Sequence, residues 1–106
     1  MKVFISQPLR GKSQEEIEIR REKIIEMIKD RYLNANIEFV YSFIDSEPSD
    51  DIEYTSVWYL GESIKELSKA TIAYFDKGYE KADGCNIELN VCNLYGIPTI
   101  FYKDFN

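Results

Sequence analysis

The run Thr71-Ile72-Ala73-Tyr74-Phe75, followed after a short loop by Ala82-Asp83-Gly84-Cys85-Asn86-Ile87-Glu88, decides the fold of this chain. The first run is short, apolar and rich in β-branched and aromatic residues, which is typical of a buried strand. The second run is a turn with one glycine that opens a helix, and Glu88 stands four residues after Gly84, about one helical turn in. In an α/β protein such a carboxylate overlooks the crevice at the carboxyl ends of the strands, where ligands bind.

Strand and helix patterns alternate along the rest of the chain. The predicted strands are Lys2–Ser6, Ile37–Tyr41, Thr71–Phe75 and Pro98–Tyr102, and the predicted helices run from the Ser13 cap to about Tyr32, from Ser56 or Val57 to Lys69, and from Asp83 to Tyr95. Ser13-Gln14-Glu15-Glu16 has the form of a capping box, and Gly96 suits the end of the third helix. The polar, acidic stretch 42–55 is long for a loop in a compact domain, and such loops are often functional.

This order of elements, without hairpin signals, predicts a parallel sheet with helices on both faces. Right-handed crossovers favour the strand order 2-1-3-4, in which the winding reverses between the first and third strands. We therefore expect one α/β domain spanning residues 1–106, a flavodoxin-like or Rossmann-like three-layer sandwich around a four-stranded parallel sheet.

Composition excludes several classes of function. The net charge of −6 argues against general affinity for nucleic acid, and the basic run Arg20, Arg21 and Lys23 is interleaved with glutamates, as on the solvated side of a helix. No apolar run approaches the ~20 residues of a membrane span, and the chain opens on a strand pattern, so we expect no membrane, no signal peptide and a cytoplasmic protein.

The absence of histidine constrains the chemistry further. With no histidine, Ser-His-Asp triads, Cys-His dyads and the common zinc sites are excluded, and we expect no metal and no cofactor. Cys85 and Cys92 lie seven residues apart on one predicted helix, about 10 Å apart and beyond disulfide reach. Both are predicted to be reduced thiols, and acid–base chemistry must come from carboxylates, tyrosines or lysines.

Three carboxylates are the candidates for catalysis. Transfer or hydrolysis at a glycosidic carbon passes through an oxocarbenium-like state, which a carboxylate such as Glu88 stabilises or captures. The alternative is an ordinary surface glutamate, one of nineteen acidic residues in the chain. Asp76, directly after the third strand, is placed to bind a hydroxyl or act as a general acid, and Asp83 either assists it or simply caps the third helix.

The loop Gln7-Pro8-Leu9-Arg10-Gly11-Lys12 precedes a helix N-terminus, where free N–H groups accept anions. Arg10 and Lys12 add positive charge, and Gly11 permits close approach of the backbone. The alternative is an ordinary loop with two exposed basic residues. Trp58, near the start of the second helix, either stacks on a base or belongs to the core.

Three motifs resemble the nucleoside 2-deoxyribosyltransferase-like superfamily, in particular a small bacterial and phage branch of it. They are Ser6-Gln7-Pro8-Leu9-Arg10-Gly11, Trp58-Tyr59-Leu60-Gly61 and Gly84-Cys85-Asn86-Ile87-Glu88. The match spans nearly the whole chain. The chain departs from the pattern at Ala82, where relatives carry an aspartate or a phosphate-binding serine, and near Ser63, where they carry an aspartate.

The resemblance implies a function. In the characterised relatives a glutamate at the position of Glu88 is the nucleophile that takes the deoxyribosyl group, and the loop matching Ser6 to Lys12 surrounds the sugar or base. Those relatives are dimers or larger assemblies in which a neighbouring chain completes the site. The residues expected to contact substrate here are Ser6, Gln7, Arg10, Gly11, Lys12, Trp58 and Gly84.

The leading hypothesis is therefore transfer or hydrolysis of the N-glycosidic bond of a deoxyribonucleoside or its 5′-monophosphate. Glu88 would be the nucleophile, Asp76 or Asp83 would orient or protonate, and the loop around Arg10 would hold the anion or sugar. The alternative is a nucleotide-binding or nucleoside-binding sensor or sequestering protein without turnover, and a purely structural oligomer ranks third. We expect a small-molecule nucleoside or nucleotide as ligand, and a homodimer or higher homo-oligomer, which the tyrosine content also favours.

Overall fold

The computed structural model describes residues 1–41 and 46–105 and contains one four-stranded sheet. Its strands are β1 (Lys2–Ser6), β2 (Glu38–Tyr41), β3 (Ile72–Phe75) and β4 (Thr99–Phe101), in the order β2-β1-β3-β4. Every pair is parallel, and Val3 of β1 lies opposite Phe39 on one side and Ile72 on the other. The predicted α/β fold, with a parallel sheet of order 2-1-3-4, is confirmed.

Three helices connect the strands: α1 (Gln14–Arg31), α2 (Thr55–Leu67) and α3 (Asp83–Tyr95). The predicted capping box begins α1, since Glu16 N donates to Ser13 Oγ and Ser13 N donates to Glu16 Oε1, both at 3.1 Å. Gly96 ends α3 with a φ of 75°, a left-handed conformation that glycine adopts without strain, and its N–H donates to Cys92 O.

The side chains of the central strands alternate between two apolar layers. Val3, Ile5 and Tyr74 pack on the side of α1, whereas Phe4, Ala73 and Phe75 pack on the other side. Their helical partners are Ile24 and Ile28 of α1 in the first layer, and Leu67 of α2 with Cys85 and Cys92 of α3 in the second. Helices therefore cover both faces of the sheet, and β1 is apolar on both sides because both sides are buried.

The site lies where β1 and β3 end. These central neighbours are joined beyond the strands by a hydrogen bond of 2.9 Å from Asp76 N to Ser6 O. The loops after the two strands remain close, since a Cβ at Gly78 would lie 3.6 Å from Pro8 Cγ. This is the predicted point at which the winding of the chain reverses, and it brings the two candidate loops side by side.

The elements differ from the sequence-based expectation mainly at their ends. The second helix begins at Thr55 and ends at Leu67, two residues before the predicted Lys69. A turn follows it, in which Ala70 N donates to Leu67 O at 3.0 Å. Short 3-10 helices at Tyr79–Lys81 and Tyr102–Phe105 were not predicted, because segments of three or four residues carry no periodic signal. Residues 42–45 of the acidic stretch lie outside the described residues. In the described part of the chain, no helix has the length and apolarity needed to cross a membrane.

Candidate functional site

Glu88 lies one turn into α3 and points toward the sheet, with a residue exposure of 3%. Ser6 Oγ, at the end of β1, donates to Glu88 Oε1 at 2.7 Å. Ser63 Oγ, on the buried face of α2, donates to Glu88 Oε2. One carboxylate therefore receives a hydroxyl on each oxygen, from two different elements, and we call Ser6, Ser63 and Glu88 the Glu88 cluster.

Glu88 is buried, and its charge is opposed by burial and favoured by hydrogen bonds. Burial raises the pKa of Glu88 above its ordinary value, while the hydrogen bonds from Ser63 and Ser6 favour the charged form and act against that rise. Among residues 1–41 and 46–105, no lysine or arginine forms an ion pair with it. A buried carboxyl group without a cationic partner is unfavourable as a purely structural element, and groups of this kind are common at functional sites.

Cys85 lies beside the cluster but is a poor nucleophile. Burial raises the pKa of the Cys85 thiol to about 11, a hydrogen bond with Ser6 opposes the rise, and the charges of Glu88 and Asp76 add to it. Burial likewise raises the pKa of Cys92 to about 11. Both cysteines are free, as their spacing predicts, and at neutral pH they are thiols rather than reactive thiolates.

Asp76 is held on the opposite face of the sheet from Glu88. It follows Phe75, so the alternation along the strand turns its side chain toward α1. Arg20 of α1 donates to both oxygens of Asp76, from Nε at 2.8 Å and from Nη2 at 2.7 Å, and Tyr74 Oη donates to Asp76 Oδ1 at 2.8 Å. Gln7 lies on the same side, where its Nε2 donates to Ile17 O at 3.2 Å. The Asp76 carboxylate is thus engaged by a cation and a phenol, an arrangement that fixes the loop after β3.

The prediction that the basic run of α1 lies on the solvated side of the helix is wrong for Arg20. The Arg20 side chain is 42% exposed and spans from the surface to the buried Asp76. Its neighbour Arg21 lies over the Tyr41 ring, with 4.4 Å from the guanidinium carbon to the ring centroid.

Asp83 and Gly84 lie on the exposed start of α3. The N-cap of α3 is Ala82, whose side chain makes no capping hydrogen bond, so the interpretation of Asp83 as the cap is wrong. Asp83 is instead the first helical residue, and no hydrogen bond joins it to the Glu88 cluster within the described ranges. Gly84 has open space around its Cα.

The loop residues Arg10, Gly11 and Lys12 are exposed. Gly11 adopts a φ of 78°, and Lys12 N donates to Leu9 O at 3.2 Å, which closes a turn. The N-terminus of α1 just beyond it is already occupied by the carboxylate of Glu16. Trp58 is half-buried and meets Tyr59 edge-on, with 5.0 Å between ring centroids.

Among the described residues, no set of three or more Cys, Asp and Glu side chains is arranged to hold a metal ion. An open depression lies on the outer side of α3, lined by Asn86, Ile87, Leu89, Asn90 and Asn93, and Glu88 is not part of its lining.

Comparisons with protein-family models, with curated proteins and with solved structures found no match.

Two site residues were not predicted, and each had a detectable signal. Ser63 interrupts the apolar stripe of α2 four residues before Leu67, on the face that packs against the sheet. Arg20 lies three residues after the buried Ile17 on α1. A polar residue within a buried stripe needs a partner, and that partner is Glu88 in one case and Asp76 in the other.

Proposed function

We propose that this chain is an enzyme that breaks the N-glycosidic bond of a deoxyribonucleoside or its 5′-monophosphate, with Glu88 as the nucleophile. The observation that carries the proposal is the Glu88 carboxylate at the carboxyl end of β1. It is buried, accepts hydrogen bonds from the Ser6 and Ser63 hydroxyls, and forms no ion pair with a cation of the described residues. That is the edge of a parallel sheet at which ligands bind in folds of this type.

In the proposed first step, a Glu88 oxygen attacks the anomeric carbon of the sugar. The bond from that carbon to the base nitrogen breaks, a bond to the Glu88 oxygen forms, and the base leaves with its electron pair and takes a proton from solvent. In the second step water, or the nitrogen of another base, attacks the same carbon and loses a proton to solvent, and the bond to the Glu88 oxygen breaks, which restores the carboxylate. Hydrolysis and transfer differ only in this acceptor.

The surrounding groups have supporting roles in this proposal. The hydroxyls of Ser6 and Ser63 orient the carboxylate and favour its charged form, which is the form that attacks. Asp76, locked by Arg20 and Tyr74, holds the loop after β3 in place. The exposed loop around Arg10 contacts the sugar and the rest of the ligand.

The low exposure of Glu88 favours one second candidate, a nucleoside-binding or nucleotide-binding protein without turnover. At 3% exposure, a ligand reaches the carboxylate only if the elements packed around it move. In a binding protein no such movement is needed, because the Glu88 cluster would only tie β1, α2 and α3 together while the ligand sits above it.

Base release separates the two candidates. Incubation of the purified chain with a panel of deoxynucleosides and their monophosphates should liberate free base if the chain is an enzyme. A binding protein should instead raise its Tm with ligand and leave the ligand intact. A chain that does neither would contradict both candidates.

A further inference from the structure

We propose, on the basis of the glycosidic function above, that the site selects a neutral nucleoside and discriminates against its 5′-monophosphate. Carboxylates of this chain lie in the first turns of α1 and α3 and in the loop that leads into α2, beside the helix ends that would otherwise attract a phosphate.

The topology brings three helix N-termini to that edge. Because all four strands are parallel, α1, α2 and α3 each begin on the side where β1 and β3 end. A helix N-terminus is the positive end of the helix dipole and binds phosphate through free N–H groups. Whether a phosphate is accepted depends on what already lies at each of these ends.

At α1 the helix end is filled by the chain itself. Glu16 Oε1 accepts from Ser13 N, and Ser13 Oγ accepts from Glu16 N, so two of the donors are used. The hydrogen bonds with Ser13 lower the pKa of Glu16, which keeps it charged, and the nearby Lys12 adds to that effect. Glu15 adds a second carboxylate to the first turn.

At α2 the approach to the helix is acidic. Glu47, Asp50, Asp51 and Glu53 are all exposed in the loop that leads into it. The sequence from 42 to 64 contains no lysine or arginine to balance them. A phosphate near this helix end would meet uncompensated negative charge.

At α3 the helix begins with a carboxylate, and no hydroxyl caps it. Asp83 is the first helical residue, and the N-cap Ala82 offers no side-chain donor. Glu80 is exposed in the same loop.

The lysines and arginines at this edge of the sheet do not offset the negative charge of its carboxylates. Arg20, whose guanidinium reaches the end of β3, makes both of its hydrogen bonds to Asp76. The exposed cations of the edge loops are Arg10, Lys12, Lys77 and Lys81. The exposed carboxylates of the same loops and first turns outnumber them, namely Glu15, Glu16, Glu47, Asp50, Asp51, Glu53, Glu80 and Asp83.

The test compares kcat/KM for base release from a deoxynucleoside and from its 5′-monophosphate. We expect the nucleoside to be favoured about tenfold or more at an ionic strength of about 0.01 M. The preference should shrink at about 0.15 M, because the screening length falls from about 30 Å to about 8 Å. Equal or better turnover of the monophosphate at low salt would overturn the inference.

Two matched triple variants locate the effect. Asp50→Asn with Asp51→Asn and Glu53→Gln should raise turnover of the monophosphate several-fold relative to the nucleoside. The control is Glu22→Gln with Glu26→Gln and Asp30→Asn, which removes the same charge from the exposed side of α1 and should leave the ratio unchanged. If both variants gain equally in turnover of the monophosphate relative to the nucleoside, the preference for the nucleoside comes from the net charge of the protein. That result would overturn the role of the carboxylates at the sheet edge.

A binding measurement separates failure of this inference from failure of the proposed function. If neither compound loses its base, the glycosidic proposal fails, and calorimetric Kd values for the same two compounds then test the selectivity directly. Tighter binding of the nucleoside supports it as a property of a binding site. Tighter binding of the monophosphate, or binding of neither compound, overturns it.

Discussion

At the scale of single residues, the chain buries two carboxylates in opposite ways. Asp76 is 3% exposed and is matched by the Arg20 guanidinium and the Tyr74 hydroxyl. Glu88 is equally buried, but among residues 1–41 and 46–105 its carboxylate is hydrogen-bonded by the hydroxyls of Ser6 and Ser63 and by no cation. A hydroxyl orients a carboxylate without neutralising it, and in the proposed mechanism the charged form of Glu88 is the nucleophile.

Replacement of Glu88 by glutamine tests the nucleophile. Glu88→Gln removes the attacking oxygen charge, and we expect base release to fall by several orders of magnitude while the circular dichroism spectrum is preserved. Glu22→Gln, on the exposed side of α1, is the matched control and should release base at the wild-type rate. Base release by Glu88→Gln within about tenfold of wild type would contradict the role.

The same variant makes a prediction about stability and pH. Because burial raises the folded-state pKa of Glu88 above its ordinary value of 4.5, folding favours the protonated form. Its contribution to stability is therefore fully present below the ordinary value and is lost as pH rises through the folded pKa. Glu88→Gln cannot titrate, so its Tm relative to wild type should increase over that window and then level off. A gain of about 1 kcal/mol corresponds to roughly 4–8 °C.

Thermal unfolding of both proteins from about pH 4 to about pH 8 measures this difference, since the window starts near the ordinary glutamate pKa. Gln keeps the length of the glutamate side chain, whereas the shorter Asn would also change packing. A Tm difference that stays flat over the whole range, or that decreases as pH rises, would show that Glu88 is not destabilised by burial.

Ser63 should affect the reaction through the pKa of Glu88. The Ser63 hydrogen bond lowers the pKa of Glu88, so Ser63→Ala should raise it. If attack needs the ionised form, the acid limb of the pH profile of kcat/KM should move to higher pH in the variant. Ser56→Ala, an exposed serine on the same helix, should leave the limb in place. A Ser63→Ala enzyme with reduced activity but an unshifted limb would restrict Ser63 to packing.

At the scale of elements, the contact between α1 and the end of β3 depends on one ion pair. Arg20→Ala leaves Asp76 buried without its cation. We expect the free energy of unfolding to fall by about 2–3 kcal/mol, less than the roughly 3–5 kcal/mol of a fully buried pair, because Arg20 is partly exposed. Lys23→Ala, also on α1, is the exposed control and should change it by less than about 0.5 kcal/mol.

Urea denaturation gives these values, and a second substitution identifies the cause. Asp76→Asn added to Arg20→Ala should recover part of the lost stability, because the unpaired charge is then removed. The single variant Asp76→Asn completes the cycle. If adding Asp76→Asn to Arg20→Ala lowers the free energy of unfolding by as much as Asp76→Asn does alone, the two residues are not coupled.

At the scale of the whole molecule, we expect a homodimer or a higher homo-oligomer. Tyr54 and Tyr95 are 73% and 79% exposed, and tyrosine is enriched at protein interfaces. Light scattering at tens of micromolar, a concentration at which a stable interface persists, should give a mass of at least twice 12.5 kDa. A mass of a single chain would contradict the prediction.

Local patterns in the sequence were sufficient for most of the fold. The strand runs, the Ser13 capping box and the position of Gly96 depend on neighbouring residues, and the handedness of crossovers then favoured the strand order that is observed. These features could be predicted because periodicity and capping act over a few residues, within one element.

The partners of the site residues could only be decided by tertiary structure. Glu88 was predicted from its place at the start of α3, but Ser63 is 25 residues away on another helix, and Arg20 lies 56 residues from Asp76. The sequence grouped Asp76 with Glu88, whereas the sheet separates them, because successive side chains at the strand ends point to opposite faces. By itself the sequence determined which polar residues lie at the ends of the strands. The packing of the three helices on the two faces of the sheet decided which of these residues contact each other, since such contacts depend on how elements distant in sequence are placed.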